Sequence, residues 1–263
     1  MKLNTDINIL GSLTDWDLIS WLSNREKIDP IDKLNKFQFT SIKTTKSFNT
    51  TIKVLNDNYL TFDSSEIENL SHHFLKTTGI TNESLIFLFW NASSNNRLLF
   101  YLNERVYFPA FFSGRLAIKN DEVVACIKDL RQKEDDLKKW SESTLTTTSS
   151  KYLTLLKKFG LMEGSVRKRI VHPYLTDELF ILFIYWISAK SEKSNLINSP
   201  WLPYCFSEKQ AFLDRLLQKK FSKYFNVVYT GDKLSVEPLM PYELIYEYIT
   251  KSGIYHQAIK ADC

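Results

Sequence analysis

Residues 140–171 read WSESTLTTTSSKYLTLLKKFGLMEGSVRKRIV, a stretch that begins and ends like a helix and continues into a short basic strand. Ser141 and Ser143 are both candidate N-caps, because a serine hydroxyl can accept hydrogen bonds from the free amides of a first helical turn. Gly160 stands where a left-handed residue ends a helix at low cost. Apolar residues at helical spacing predict one buried face, made of Leu145, Tyr152, Leu153, Leu156 and Phe159.

The opposite face of this predicted helix is rich in hydroxyl and lysine side chains. It carries Thr144, Thr147, Thr148, Lys151, Thr154, Lys157 and Lys158. A turn signal at Glu163-Gly164 and the basic strand 166–171 follow the helix. Such a helix can enter the major groove of DNA, and a cationic hairpin, or wing, can lie along the phosphate backbone. The order helix, short helix, capped helix and hairpin over residues 115–171 therefore predicts a winged helix-turn-helix.

Positive charge is concentrated in this part of the chain. Between Lys138 and Arg169 there are eight basic residues and two acidic ones, which gives a net charge of +6. The whole chain carries +4, so the remaining residues sum to −2. A local basic surface is typical of nucleic-acid binding. The alternative is a solvated lysine-rich helix followed by an ordinary hairpin.

From this pattern we expect a set of residues to contact duplex DNA: Thr144, Thr147, Thr148, Lys151, Lys157, Lys158, Arg167, Lys168 and Arg169. The cations would meet phosphates, and the threonines would touch the backbone or base edges. The sequence has no G-x-S-x-G, H-E-x-x-H, P-loop or Rossmann motif, so we expect no enzyme activity, cofactor or metal. The three cysteines are widely separated and indicate reduced thiols. An unrecognised nuclease is an alternative, since catalytic groups assemble in space.

The composition predicts a mainly α protein, because only 7 glycines occur and long segments are periodic. We expect an N-terminal helical bundle over 1–113, a winged-helix-like DNA-binding module over 114–173, and a C-terminal helical module with a β-hairpin over 174–263. The run Leu179–Ile187 is apolar throughout, but a membrane span needs about twenty residues. The run therefore predicts a buried helix. Because the sequence shows no signal-peptide pattern, we also expect a cytoplasmic protein without membrane contact.

Several local structures are also predicted. Residues 43–59 have a helical pattern, and the polar run Asn91–Asn96 is expected to form a turn between two helices. Ser207 and Gln210 have the spacing of a capping box. Residues 225–229 and 234–237 flank a Thr-Gly-Asp-Lys turn and predict a hairpin, which gives a possible second helix-then-wing unit.

Part of the chain resembles a known family. The segments are RLLFYLNERVYFPAFFSG at Arg97–Gly114, the helix after it, WSESTLTTTSSKYLTLLKKFGLMEG, and the basic RKRIVHPYL. Together they resemble the BrxA proteins of BREX phage-resistance systems, over residues 85–250. The resemblance implies a small cytosolic, helical DNA-binding accessory of a larger defence assembly, with double-stranded DNA and other defence-system proteins as partners. It brings no catalytic residues.

The sequence departs from the family at Thr146–Thr148, where relatives would carry arginine or lysine. The resemblance therefore implies that more of the phosphate contacts are made by the cations of the hairpin.

A different function also stays open. The chain could be an interaction subunit without direct DNA binding, in which aromatic surfaces at Phe108–Phe112 or Trp201–Phe206 dock a partner protein. Core packing is the alternative for those aromatics.

Overall fold

The structure is a computed structural model, and it describes residues 3–13, 16–23, 42, 44–75, 80–165, 168–190 and 195–249. These residues are mainly α-helical and include two small antiparallel hairpins, which confirms the predicted mainly α class. The first helices are α1 (Asp6–Leu10), α2 (Asp17–Ser23), α3 (Thr45–Leu55), α4 (Ser65–Leu75), α5 (Asn82–Asn95), α6 (Arg97–Leu102) and α7 (Phe108–Phe112). They are followed by α8 (Asn120–Lys133), α9 (Asp135–Lys138), α10 (Glu142–Lys158), α11 (Asp177–Lys190) and α12 (Lys209–Leu216). The strands are β1 (Met162–Glu163), β2 (Arg169–Ile170), β3 (Phe225–Tyr229) and β4 (Leu234–Pro238).

The chain forms two compact units. The first contains Met1–Thr61 and Phe74–Pro173, and the second contains Phe62–His73 and Tyr174–Cys263. Residues on both sides of the expected boundary after residue 113 lie in the first unit. The division into three functional domains stays a prediction.

Helix α10 lies at the centre of the first unit. All five of its predicted core residues are buried, and each buried aliphatic or aromatic side chain contributes about 1.5–3 kcal/mol to folding. Ser141 is the N-cap, and its hydroxyl accepts from the amide of Thr144 at 3.1 Å. Gly160 has a φ of +75°, so the predicted left-handed helix end is confirmed. The helix is therefore fixed by the same sequence signals that predicted it.

The turn expected at Asn91–Asn96 is confined to Asn96, because α5 runs on as a helix to Asn95 and α6 begins at Arg97. The polar side chains of this helix are paired inside the protein. The amide of Asn91 donates to the carbonyls of Tyr59 (2.9 Å) and Thr61 (3.0 Å), and the amide of Asn95 donates to Thr61 at 2.8 Å. These carbonyls lie at the C-terminal end of the preceding helical segment, where they have no partner within that helix, and the two asparagine amides supply their hydrogen bonds. Burial of an amide has little cost when it is hydrogen-bonded, so the helix continues.

A second buried polar contact connects α10 to α5. Single turns of π-helix occur at Asn56–Leu60, after α3, and at Asn103–Tyr107, between α6 and α7. The amide of Asn103 donates to the hydroxyl of Ser93, and its carbonyl oxygen accepts from the hydroxyl of Tyr152, both at 3.0 Å. The three side chains are buried. The contact therefore fixes α10 within the bundle.

Helix α11 lies at the centre of the second unit, and Leu179–Ile187 is buried along its whole length, as predicted. Within the described ranges, no helix is long and apolar enough to cross a membrane. The hairpin predicted near residue 230 is also confirmed, with Phe225 opposite Pro238 and Tyr229 opposite Leu234.

The capping box predicted for Ser207 and Gln210 is wrong. Helix α12 begins one residue later, with Glu208 at the N-cap and no side-chain capping bond. Phe206, which precedes Ser207, has a left-handed backbone with a φ of 56°. The hydroxyl of Ser207 donates to the carbonyl of Cys205 and not to the helix. The backbone turn therefore removes the serine from the helix start.

Candidate nucleic-acid interface

Arg131 on α8 connects this helix to the start of α10. The guanidinium of Arg131 donates to the carbonyl of Trp140 and to the carboxylate of Glu142, both at 3.1 Å. Further along, the hydroxyl of Ser149 on α10 lies 2.8 Å from the side-chain oxygen of Asn120 at the start of α8. The two helices are thus joined at both ends of their contact, which fixes the direction in which α10 presents its outer face.

The β1–β2 hairpin is attached to the segment that precedes α8. Strand β2 pairs with β1, where Glu163 faces Arg169, and also with residues 116–117. The amide of Ile170 donates to the carbonyl of Leu116 at 2.9 Å, and Ala117 forms a bridge with Arg169. Strand β2 therefore lies between β1 and this short segment, which holds the hairpin beside the end of α10.

The outer face of α10 is a narrow stripe of hydroxyl groups. Its exposed residues after the N-cap turn are Ser143, Thr146, Thr147, Ser150 and Lys157, and Thr144, Lys151 and Thr154 are half-buried beside them. Thr146, Ser150 and Thr154 were not among the predicted contact residues. The 3- and 4-residue spacing of Ser143, Thr147, Ser150, Thr154 and Lys157 is the signal that could have identified Ser150 and Thr154, but it does not include Thr146.

Two predicted contact residues are not available on this face. Thr148 is fully buried, and the ammonium nitrogen of Lys158 is buried as well, so the placement of both on the outer face was wrong. The physical reason is the helical period: residue 148 follows 145 and precedes 152, and it turns toward the core with them. Neither side chain can reach a DNA backbone in this conformation.

Three lysines converge at the other end of the stripe. The ammonium of Lys168, in the hairpin, donates to the hydroxyl of Thr154 on α10 at 2.8 Å. Partial burial lowers the pKa of Lys168, and the positive charges of Lys157 and Lys151 lower it further. The helix and the hairpin therefore bring cations to one small area around Thr154. We call Lys151, Lys157 and Lys168 the lysine cluster.

The other predicted cations differ in their surroundings. Arg169 is exposed, and its partner in the register of the hairpin is Glu163. Arg167 lies outside the described residues. The carboxylate of Glu142 forms ion pairs with Lys128, at 2.7 Å, and with Arg131. Hydrogen bonds from both residues lower the pKa of Glu142, and the bond from Lys128 contributes most. The acid nearest to the start of α10 is thus already paired, away from the lysine cluster.

The aromatic residues suggested as a docking surface belong mostly to the core. Phe108 and Phe111 are buried in the first unit, and Leu202, Tyr204 and Phe206 are buried in the second. Phe112 and Trp201 are half-buried, so only a small part of these two segments is accessible, and docking of a partner protein there stays a prediction. Among the described residues, no group of three or more histidine, cysteine, aspartate or glutamate side chains is placed to hold a metal ion.

Comparison with known proteins gives the family. A model of the BrxA family matches residues 20–184, which is more than half of the chain. The chain belongs to the BrxA family. This BrxA protein is therefore a component of a BREX phage-defence system. Neither a search of curated proteins nor a search of solved structures returned a match.

Proposed function

We propose that this BrxA protein is a non-catalytic accessory that binds duplex DNA through α10 and the β1–β2 hairpin, used as a winged helix-turn-helix. The observation that carries the proposal is the position of Lys168. It comes from the hairpin, yet its ammonium lies on α10 beside two further lysines. Cations from two elements that meet on one surface are what a phosphate backbone requires.

The lysine cluster is proposed as the phosphate site. Like charges held close together repel one another, and this repulsion is part of what lowers the pKa of Lys168. A bound phosphate would relieve the repulsion and would accept a hydrogen bond from each ammonium. Binding of a polyanion is then favoured over the empty state, and it would also raise the pKa of Lys168.

The hydroxyl stripe of α10 is proposed to lie toward the groove. Its exposed residues, Thr147 and Ser150 among them, are short and can donate or accept hydrogen bonds. Threonine and serine contact either phosphates or base edges. The position of β2 between β1 and residues 116–117 supports the winged arrangement, because it holds the hairpin beside the helix.

A salt titration tests the proposal. We expect duplex binding, followed by fluorescence anisotropy, to weaken linearly in a log–log plot against salt concentration. Each of the substitutions Lys151→Gln, Lys157→Gln and Lys168→Gln should lower the slope by about one unit. Lys209→Gln, an exposed lysine of the second unit, makes the same change in net charge and should leave the slope unchanged.

The same titration separates the alternatives. No duplex binding at low salt would favour an interaction subunit without DNA contact. Equal binding of single-stranded DNA or RNA would contradict groove recognition by α10, because those ligands present no comparable major groove. Incubation of duplex DNA with the protein and a divalent cation tests the non-catalytic role, and cleavage that depends on the metal would contradict it.

A further inference from the structure

Strand β3 has one edge without a partner in the described part of the chain. The amide of Thr230 donates to the carbonyl of Lys233 (3.0 Å), and the amide of Leu239 donates to Tyr224 (2.9 Å). In an antiparallel pair the bonded residues alternate, so these two bonds fix the pattern between them. Val227 and Tyr229 therefore direct their amides and carbonyls away from β4. Among the described residues, no group accepts or donates to them.

The two strands of this hairpin differ in how their outer edges are protected. On β4, the outward amide of Leu234 donates to the side chain of Asn195 at 2.8 Å, and the strand ends with Glu237 and Pro238. Charged residues, proline and covering side chains are the usual means of blocking an edge. Strand β3 reads FNVVY and has none of these. Its Val228 is 54% exposed, so the open edge is also apolar.

A groove lies next to this edge. Its volume is about 380 Å³, and the side chains that line it include Leu216, Leu217, Lys219, Phe225, Val227 and Leu239. Leu217 and Leu239 are each more than half exposed, which is unusual for leucine. When a peptide adds to a sheet edge, backbone bonds provide affinity and pockets take alternate side chains. An edge and an adjacent apolar groove provide both.

The charges on either side of β3 indicate which occupant the edge accepts. Residues 219–233 contain four lysines and one aspartate, a net charge of +3, and one of these lysines, Lys220, is already paired with Asp177. Lys219 and Lys223 precede the strand, and Lys233 follows it. A second copy of this chain would bring the same lysines together, whereas a strand with acidic ends would meet opposite charges.

We propose that β3 accepts an extended segment of a partner protein, apolar at its centre and acidic at both ends, as an added strand of the sheet. The groove takes side chains from one face of that segment. The lysines before and after β3 hold its acidic ends. The site lies wholly in the second unit, so it is independent of DNA binding by the lysine cluster.

A peptide titration tests this site on the full chain. The probe is a fluorescent peptide in which valine and threonine alternate between glutamate pairs. We expect it to bind, and we expect N-methylation of alternate backbone amides, or replacement of the glutamates by lysines, to weaken binding by about tenfold or more. Val227→Pro removes an outward amide and replaces a side chain that lines the groove, while the bonds to β4 are retained, and it should have the same effect. Val236→Thr, which lies on β4 and leaves both the edge of β3 and the charge unchanged, should not.

Amide hydrogen exchange provides a second readout. Binding of the peptide should slow exchange at Val227 and Tyr229, whose amides point outward. It should change little at Asn226 and Val228, whose amides already bond to β4. The proposal is overturned if the N-methylated peptide binds equally well or if the outward amides stay unprotected. A concentration-dependent dimer that Val227→Pro abolishes would also overturn it, in favour of a second copy.

Discussion

The ammonium of Lys168 and the hydroxyl of Thr154 lie 2.8 Å apart and join the β1–β2 hairpin to the outer face of α10. The two side chains can meet because β2 pairs with residues 116–117, and this pairing holds the hairpin beside α10. The contact keeps a positive charge partly out of water, near two other positive charges. We therefore expect this charge to carry a cost in the folded chain that a bound anion would relieve.

We expect Lys168→Met to reduce DNA affinity without reducing stability. The pKa of Lys168 is lowered in the folded chain, so between that pKa and the ordinary value of 10.5 the unfolded chain binds more protons. The free energy of unfolding therefore rises as pH increases through this window, and the penalty is fully present below it. Methionine removes the penalty, retains most of the apolar stem, and lowers the salt slope of DNA binding by about one unit.

Urea denaturation at neutral and alkaline pH measures the stability part of this prediction. The variant should be at least as stable as the parent at neutral pH, and its stability should vary less with pH in the alkaline range. Lys209→Met is the control, since that lysine is exposed. A clear loss of stability at neutral pH would show that the bond to Thr154 outweighs the cost of burying the charge.

The adjacent residues Thr147 and Thr148 should respond in opposite ways to the same substitution. Thr148→Val replaces a fully buried hydroxyl that has no hydrogen-bond partner within the described ranges. Its loss should raise the free energy of unfolding by about 1 kcal/mol and leave DNA binding unchanged. Thr147→Val alters an exposed hydroxyl and should weaken DNA binding with little effect on stability. Denaturation and anisotropy measurements on both variants check this, and reduced DNA affinity in Thr148→Val would contradict the observed placement.

Much of α10 could be predicted from the sequence, because its signals are local. The cap at Ser141, the left-handed Gly160 and the buried face each depend on residues within a few positions along the chain. The continuous burial of Leu179–Ile187 was predictable for the same reason. Local signals failed where a distant partner decides the outcome. The carbonyls of Tyr59 and Thr61 that satisfy α5 are about thirty residues away, and no local pattern in the sequence reveals them.

The candidate site was predicted less well than the helix that carries it. Lysine and threonine were assigned to the outer face by type, and Thr148 and the ammonium of Lys158 proved to be buried. The meeting of Lys168 with Thr154 could not be predicted, since it depends on how the hairpin folds back onto the helix. Contact of any of these residues with DNA stays a prediction.

Gly11 should be intolerant of a larger side chain. It ends α1, and a Cβ atom built there would lie 2.5 Å from the carbonyl oxygen of Lys151 on α10. Because that oxygen belongs to the backbone, Gly11→Ala must push α1 and α10 apart, at a cost of about 2 kcal/mol in unfolding free energy. Displacement of Lys151 should also weaken DNA binding. Gly114→Ala is the control: it has open space but a φ of +69°, so it should cost about 1 kcal/mol and leave DNA binding unchanged.

The buried contact between Asn103 and Tyr152 should be one of the larger polar contributions to stability. Tyr152→Phe leaves the side-chain oxygen of Asn103 without this donor and should cost about 1–2 kcal/mol. Asn103→Ala leaves the hydroxyls of both Tyr152 and Ser93 without their amide partner and opens a cavity, so about 3 kcal/mol is expected. The double variant should cost less than the sum of the two, because the second substitution removes a bond that the first has already broken. Urea denaturation of all four proteins measures the coupling, with Asn198→Ala as an exposed control that should change stability by less than about 0.5 kcal/mol. Additive costs would mean that Tyr152 and Asn103 act separately, and the packing of α10 against α5 would then depend on apolar contact alone.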